Sequence, residues 1–248
     1  MPEAIVAENL SKTFRLGHER HGTLKGLLLS FQRPRYEDIH ALRGVSFAVR
    51  AGETLAVIGK NGSGKSTLLG IMARVYRPTS GKVVMNGRVS ALLELGAGFH
   101  PDLTGIENIY LNGSILGLGR REIAKRLNEI VSFAELEGFI DAPLRTYSSG
   151  MVMRLGFAIA IQVDPDILLV DEVLAVGDEA FQRKCFDKVR DFQRLGKTIV
   201  FVSHDLDAVK SVATRAIWLD SGEIRTDDGV ERVVEAYLSQ SWARDTTG

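Results

Sequence analysis

Gly59-Lys60-Asn61-Gly62-Ser63-Gly64-Lys65-Ser66-Thr67 is the stretch on which the fold turns. Its first eight residues fit G-x-x-x-x-G-K-[ST] in full. The run before it, Thr54–Ile58, is apolar and β-branched, and Ser66–Val75 after it has helical spacing that stops near Pro78. The glycines therefore fall between a strand and a helix. They let successive backbone N–H groups converge on one anion without Cβ clashes. The helix opening near Ser66 adds its positive N-terminal end. Lys65 is placed to reach the β- and γ-phosphates of a nucleotide, and the Ser66 hydroxyl to ligate Mg²⁺. A glycine turn with a chance lysine would not come with both flanks.

Two other apolar runs end in groups that suit this loop. Ile167–Val170 runs into Asp171-Glu172, and Thr198–Val202 runs into Ser203-His204-Asp205. Helical residues Glu179–Leu195 lie between the two runs. Continuous apolar strands alternating with helices imply a parallel sheet buried on both faces, and ligands of such sheets sit at the carboxyl ends of the strands. Asp171 is placed to hold a water of the Mg²⁺ shell, and Glu172 to polarise the attacking water as general base. His204 can reach the same edge and orient the reaction. Solvated acids at a strand end and an exposed histidine are the alternatives.

Further out, Ile5–Phe14 reads as an edge strand. Val45–Val49 and Thr54–Ile58 flank the Ala51-Gly52 turn, and Lys82–Met85 and Arg88–Leu93 flank Asn86-Gly87, a hairpin signal. Residues 104–163 look mainly helical. Ala216–Asp220 and Glu223–Arg225 form a second predicted hairpin, and Val230, Val233, Val234, Tyr237 and Leu238 mark a packed final helix. Lys+Arg and Asp+Glu are both 31 of 248 residues. That balance lacks the basic excess of nucleic-acid binders, so no nucleic-acid partner is expected. The single cysteine, Cys185, excludes an internal disulfide and sits at helical spacing among phenylalanines as a small hydrophobe. No run approaches the roughly 18–20 apolar residues of a membrane span, and the N-terminus lacks a basic-then-apolar signal. A membrane protein served by this chain is expected to be a separate polypeptide.

Tyr147-Ser148-Ser149-Gly150-Met151 precedes another helical run. It resembles the signature of ABC ATPases, usually written LSGGQ. The order of phosphate loop, signature, strand acids and histidine matches ABC nucleotide-binding domains over nearly the whole chain. The resemblance implies an α/β P-loop NTPase with a RecA-like core and antiparallel β subdomain (1–95 and 161–248), a helical signature subdomain (96–160) and an insertion (17–39). It implies a homodimer in which ATP lies between the phosphate loop of one copy and Ser148, Ser149 and Gly150 of the other, with Asp178 in the loop that crosses the interface. Phe14 stands where the family stacks an aromatic on adenine; a core phenylalanine is the alternative. Ser149 replaces the signature's first glycine, a strained substitution if that residue needs positive φ, and Met151 replaces its glutamine. The family's loop glutamine is also missing: residues 83–128 contain none, and Glu94 is the nearest oxygen donor for its metal role, a surface acid being the alternative.

LLELGAGFHPDLTGIEN (92–108), YSSGMVMRLGFA (147–158) and DEVLAVGD (171–178) look like the branch that exports bacterial surface polysaccharide. That resemblance implies two copies of a multi-span permease, a lipid-linked polysaccharide substrate such as O-antigen, teichoic acid or capsule, and a peripheral place on the cytoplasmic face of the inner membrane. Within 17–39, Leu24, Leu27, Leu28 and Phe31 make one apolar helical face ringed by Arg20, His21, Lys25, Arg33 and Arg35. Such a segment suits an anionic membrane surface, and exporters of this branch carry one beside the lipid gate; an ordinary packed helix is the alternative. Some members append a carbohydrate-binding β-sandwich, and the sequence here ends one helix past the core. The competing readings are a soluble ABC ATPase of translation or DNA repair, which usually fuses two nucleotide domains or inserts a coiled coil, and a P-loop kinase, which needs no signature.

Overall fold

The computed structural model describes residues 2–17, 36–93, 95–171 and 177–245. Strand β1 (Glu3–Gly17) pairs antiparallel with β2 (Tyr36–Arg50) on one side and with β4 (Ser80–Met85) on the other. It is the central strand of a three-stranded sheet, not the expected edge, because both neighbours arrive later in the chain. Between β2 and β4 lie β3 (Thr54–Ile58) and α1 (Lys65–Met72). Strand β5 (Val89–Leu92) then joins a second sheet with β3, β6 (Ile167–Val170), β7 (Thr198–Val202), β8 (Arg215–Asp220) and β9 (Glu223–Gly229). Its order is β5-β6-β7-β3-β8-β9, parallel except for the β8–β9 hairpin.

Asn86-Gly87 is not a hairpin turn. It carries the chain from one sheet to the other, since β4 pairs with β1 and β5 with β6. The Asn86 amide groups are spent on β1: its Nδ2 donates to the Glu3 carbonyl (2.9 Å) and its backbone N–H to the Ala4 carbonyl (2.8 Å). Asp166, just before β6, accepts from the Arg88 N–H at 2.8 Å. A Cβ on Gly87, whose φ is +141°, would stand 2.7 Å from the Asp166 Cβ. The Ala51-Gly52 turn likewise joins strands of different sheets. Local turn chemistry was legible; which strand each arm would pair with depended on the rest of the chain.

Every residue of β3, β6 and β7 is buried, as sheet strands covered on both faces require. Alternate residues feed two cores. Leu55, Val57, Leu169 and Val202 pack with Leu68, Leu69 and Met72 of α1 and with the three-stranded sheet. Ile58, Val170 and Phe201 pack with helices α5 (Glu179–Arg194), α6 (Leu206–Val212) and α7 (Val230–Asp245). Cys185 lies in this second core, and burial pushes its thiol pKa up to about 12. It behaves as an apolar filler.

A third cluster joins α2 (Gly105–Ile115), α3 (Arg120–Ala134) and α4 (Ser149–Ala160). Thr104 and Glu107 form a reciprocal capping box that starts α2. Asn108, fully buried, donates to the carbonyls of His100, Leu103 and Thr104 and accepts the His100 N–H, so one amide organises the whole approach loop. Asn112 reaches back to the Ala97 carbonyl at 2.7 Å.

Candidate nucleotide site

The phosphate-binding stretch is shaped by close approach from behind. Gly59 (φ +152°) and Gly64 (φ +107°) have no room for a side chain: added Cβ atoms would stand 2.2 Å from the Leu219 carbonyl oxygen and 2.4 Å from that of Ala41. The β8–β9 turn braces the loop, with the Gly222 N–H donating to the Ser63 carbonyl (3.0 Å) and the Arg43 N–H to the Gly222 carbonyl (2.8 Å). Gly64 is also the N-cap of α1, without a side chain of its own to satisfy the first N–H groups. Those donors are left for a ligand.

Lys65 is only 6% exposed, and its ammonium donates to the carbonyls of Gly59 (2.8 Å) and Lys60 (3.1 Å). A cation held by carbonyls of the loop itself is placed to exchange them for phosphate oxygens. The Ser63 hydroxyl is buried with no partner. An orphaned buried hydroxyl and a helix N-terminus with no side-chain cap both fit a polyphosphate. Lys60, Asn61 and Gly62 form the exposed rim, while Ser66 and Thr67 open α1.

Asp171, Gly59 and the Ser203-His204 pair follow β6, β3 and β7, which are neighbours in one parallel array. All three therefore lie at the same carboxyl edge. Asp171 and Ser66 line one cavity of about 320 Å³ between α1, β5, α2 and α4. His204 is exposed, on a turn fixed by the Asp205 N–H donating to the Ser203 hydroxyl (3.0 Å) and by Asp205 capping α6. Glu172, Glu94 and the insertion over 18–35 lie outside the described residues.

The signature stands apart from this edge, at the head of α4 in the helical layer. Ser148 is its N-cap, and its hydroxyl oxygen accepts the Met151 N–H at 3.2 Å. The O–H proton is not used by that bond and can be donated elsewhere. Ser149 is the first helical residue and does not have positive φ, so the strain its replacement of glycine would have carried does not arise. A Cβ on Gly150 would meet nothing nearer than the Ser148 hydroxyl, at 3.9 Å. Nothing among the described residues demands glycine there. Met151 packs against the helical cluster, which explains an apolar residue at that position.

Asp178 N-caps α5, accepting the Phe181 N–H at 2.9 Å, and pairs with Arg154 of α4. These bonds hold its carboxyl below the usual carboxylate range, the backbone bond most of all. Phe14 is half-buried near the far end of β1 and belongs to none of the three cores. Its ring meets Tyr76 edge-on (5.5 Å, 86°), and the Lys12 ammonium lies 4.8 Å from its centroid. The sequence reading missed Arg154, whose only signal was its place one helical turn after Gly150. The hairpin turn at Ser221-Gly222 is present as expected, but its bracing of the phosphate loop was not foreseen, since no residue type there announces proximity to the loop.

The chain matches the family model described as ABC transporter over residues 42–175. It is 47% identical over 241 residues to the O-antigen export system ATP-binding protein RfbB of Klebsiella pneumoniae, covering 96% of this chain and 98% of that one. It is 44% identical over 233 residues to the teichoic acids export ATP-binding protein TagH of Listeria monocytogenes serotype 4b (strain F2365), covering 94% of this chain and 69% of the relative. Among solved structures it superposes on the ATP-binding cassette MJ0796, in a dimeric post-hydrolysis state bound to ADP and Pi. The TM-score is 0.72 and the identity 25%, over 91% of this chain and 98% of that one.

Proposed function

The chain belongs to the ABC transporter family, and from that premise we propose that it is the ATP-hydrolysing subunit of an exporter of lipid-linked bacterial surface polysaccharide. Relatives that match 96% and 94% of it are named as ATP-binding proteins of O-antigen and teichoic acid export. The geometric observation that carries the mechanism is the bare signature. Ser148 and Gly150 head a helix whose first turn has no ligand-sized neighbour within the chain at Gly150. That N-terminus, with its dipole and free hydroxyl proton, suits the γ-phosphate of a nucleotide held by a second copy. The dimeric neighbour structure favours the same arrangement.

In this reading the loop 59–66 binds the triphosphate and Lys65 leaves its two carbonyls to pair with the β- and γ-oxygens. Phe14 offers a ring face to the base. Ser66, Asp171 and, in place of the usual glutamine, Glu94 are the oxygen donors for Mg²⁺. Bound Mg²⁺ would neutralise charge on the phosphates as the terminal P–O bond breaks. Glu172 accepts the proton of the attacking water and His204 orients it. Asp178 lies at the junction with the second copy.

No helix among the described residues is long and apolar enough to cross a membrane. The export function therefore needs two copies of a membrane permease, with this chain peripheral on the cytoplasmic face. The cavity beside Asp171 is the surface we assign to that partner, because Val75, Tyr76 and Ile115 are exposed together on its rim (59%, 42% and 61%), and grouped apolar side chains, unlike scattered ones, mark an interaction surface. Ile115→Glu is expected to leave ATP hydrolysis by the isolated chain unchanged while abolishing co-purification with the multi-span permease and surface display of the polymer. Normal polymer on cells carrying Ile115→Glu would remove this docking assignment. Unaltered surface glycans in cells lacking the gene would remove the export reading itself.

A further inference from the structure

Where α4 meets α5, one guanidinium spans the helical layer and the sheet layer. Arg154 is one turn beyond Gly150 on α4, and its side chain is only 17% exposed. One arm donates to the Glu135 carboxylate at 2.8 Å and the other to Asp178. Glu135 is the left-handed C-cap of α3 (φ 57°), and its second oxygen accepts from Lys184 of α5. The guanidinium carbon lies 4.9 Å from the centroid of Phe181. Beneath it Phe133, Phe157 and Phe181, one from each of α3, α4 and α5, make mutual ring contacts of 5.7–6.2 Å. The rings hold the layers together, but a mixture of edge-on and offset contacts leaves the angle between them only loosely set. A planar fork gripping two carboxylates does fix it.

We propose that Arg154 is a positioning residue that locks the signature helix to Asp178 at the head of α5, and so makes the two nucleotide sites of a dimer answer to one another. The inference rests on the head-to-tail dimer proposed above. In that dimer the signature serves one nucleotide while Asp171 and Asp178 flank the other, and among the described residues the Arg154–Asp178 ion pair joins the two within a protomer. The aromatic contacts supply the binding energy of the layers. The ion pairs supply their register.

The test uses the full chain, with ATP as probe. Arg154→Met keeps the apolar stem and removes the fork. Asp178→Asn keeps the helix cap, since Asn caps as well as Asp, and removes the charge. Each is expected to lower kcat by ~10-fold or more and to bring the Hill coefficient for ATP from about 2 towards about 1. ATP affinity of the monomer should be unchanged. The double variant should be no worse than Arg154→Met alone, because both single variants break the Arg154–Asp178 bond and Arg154→Met also releases Glu135, and Arg154→Lys should recover part of the loss. Wild-type kcat and cooperativity in both single variants would overturn the proposal, as would losses that add in the double variant or an equal fall in monomer ATP affinity. If the wild-type chain is itself non-cooperative and turns over as a monomer, the dimer reading fails first and this proposal falls with it.

Discussion

Glu172→Gln is expected to reduce ATP hydrolysis by a factor of ~10²–10⁴, the usual contribution of a positioned general base, while ATP binding persists. The amide has nearly the shape of the carboxylate and cannot take a proton from water. Its parent is the next residue in the sequence after Asp171, which lies at the carboxyl edge shared by the ends of β3, β6 and β7. If Glu172 were a structural acid, the substitution would change stability and leave turnover alone. If Glu172 is the base, its replacement leaves nucleotide trapped between the phosphate loop of one copy and the signature of the other, and the dimer should accumulate in ATP and dissolve in ADP. Light scattering on a sizing column reads the dimer, and phosphate release reads the chemistry. Undiminished turnover would refute the assignment.

Lys65→Ala is expected to lose ATP binding. The ammonium is buried and makes two hydrogen bonds, to the carbonyls of Gly59 and Lys60. Hydrogen bonds to charged groups contribute about 1.5–3 kcal/mol each, so losing two phosphate contacts corresponds to a drop in affinity of ~10²–10⁴-fold. The fold should survive, because Gly59 and Gly64 are braced by Leu219 and Ala41 independently of the lysine. Titration with a fluorescent nucleotide, beside a melting curve, separates the two effects. Normal affinity in Lys65→Ala would contradict the cradle.

The sheet that carries this chemistry was legible because its strands are short, apolar and β-branched, and because each one ends in a chemically marked residue. Gly59, Asp171 and His204 could be assigned to one edge from that alone, and the three parent strands are indeed adjacent. The antiparallel layer was not legible in the same way. The reading of β1 as an edge and of Asn86-Gly87 as a hairpin failed for one reason: both depend on which distant strand supplies the pairing, and turn residues record only local φ and ψ. At the signature, the sequence showed departures at Ser149 and Met151 without showing that the first is helical and the second packs inward. Arg154 gave no sign of its two carboxylates, since Glu135 and Asp178 lie 19 and 24 residues away along the chain.

The dependence of hydrolysis on protein concentration puts the shared site to its most direct trial. With ATP saturating and the purified chain diluted stepwise, two half-sites that must meet give a specific activity that falls with dilution, and total rate rising as the square of concentration. A specific activity that stays constant down to concentrations where the chain is monomeric would show that one copy suffices, and would contradict the account.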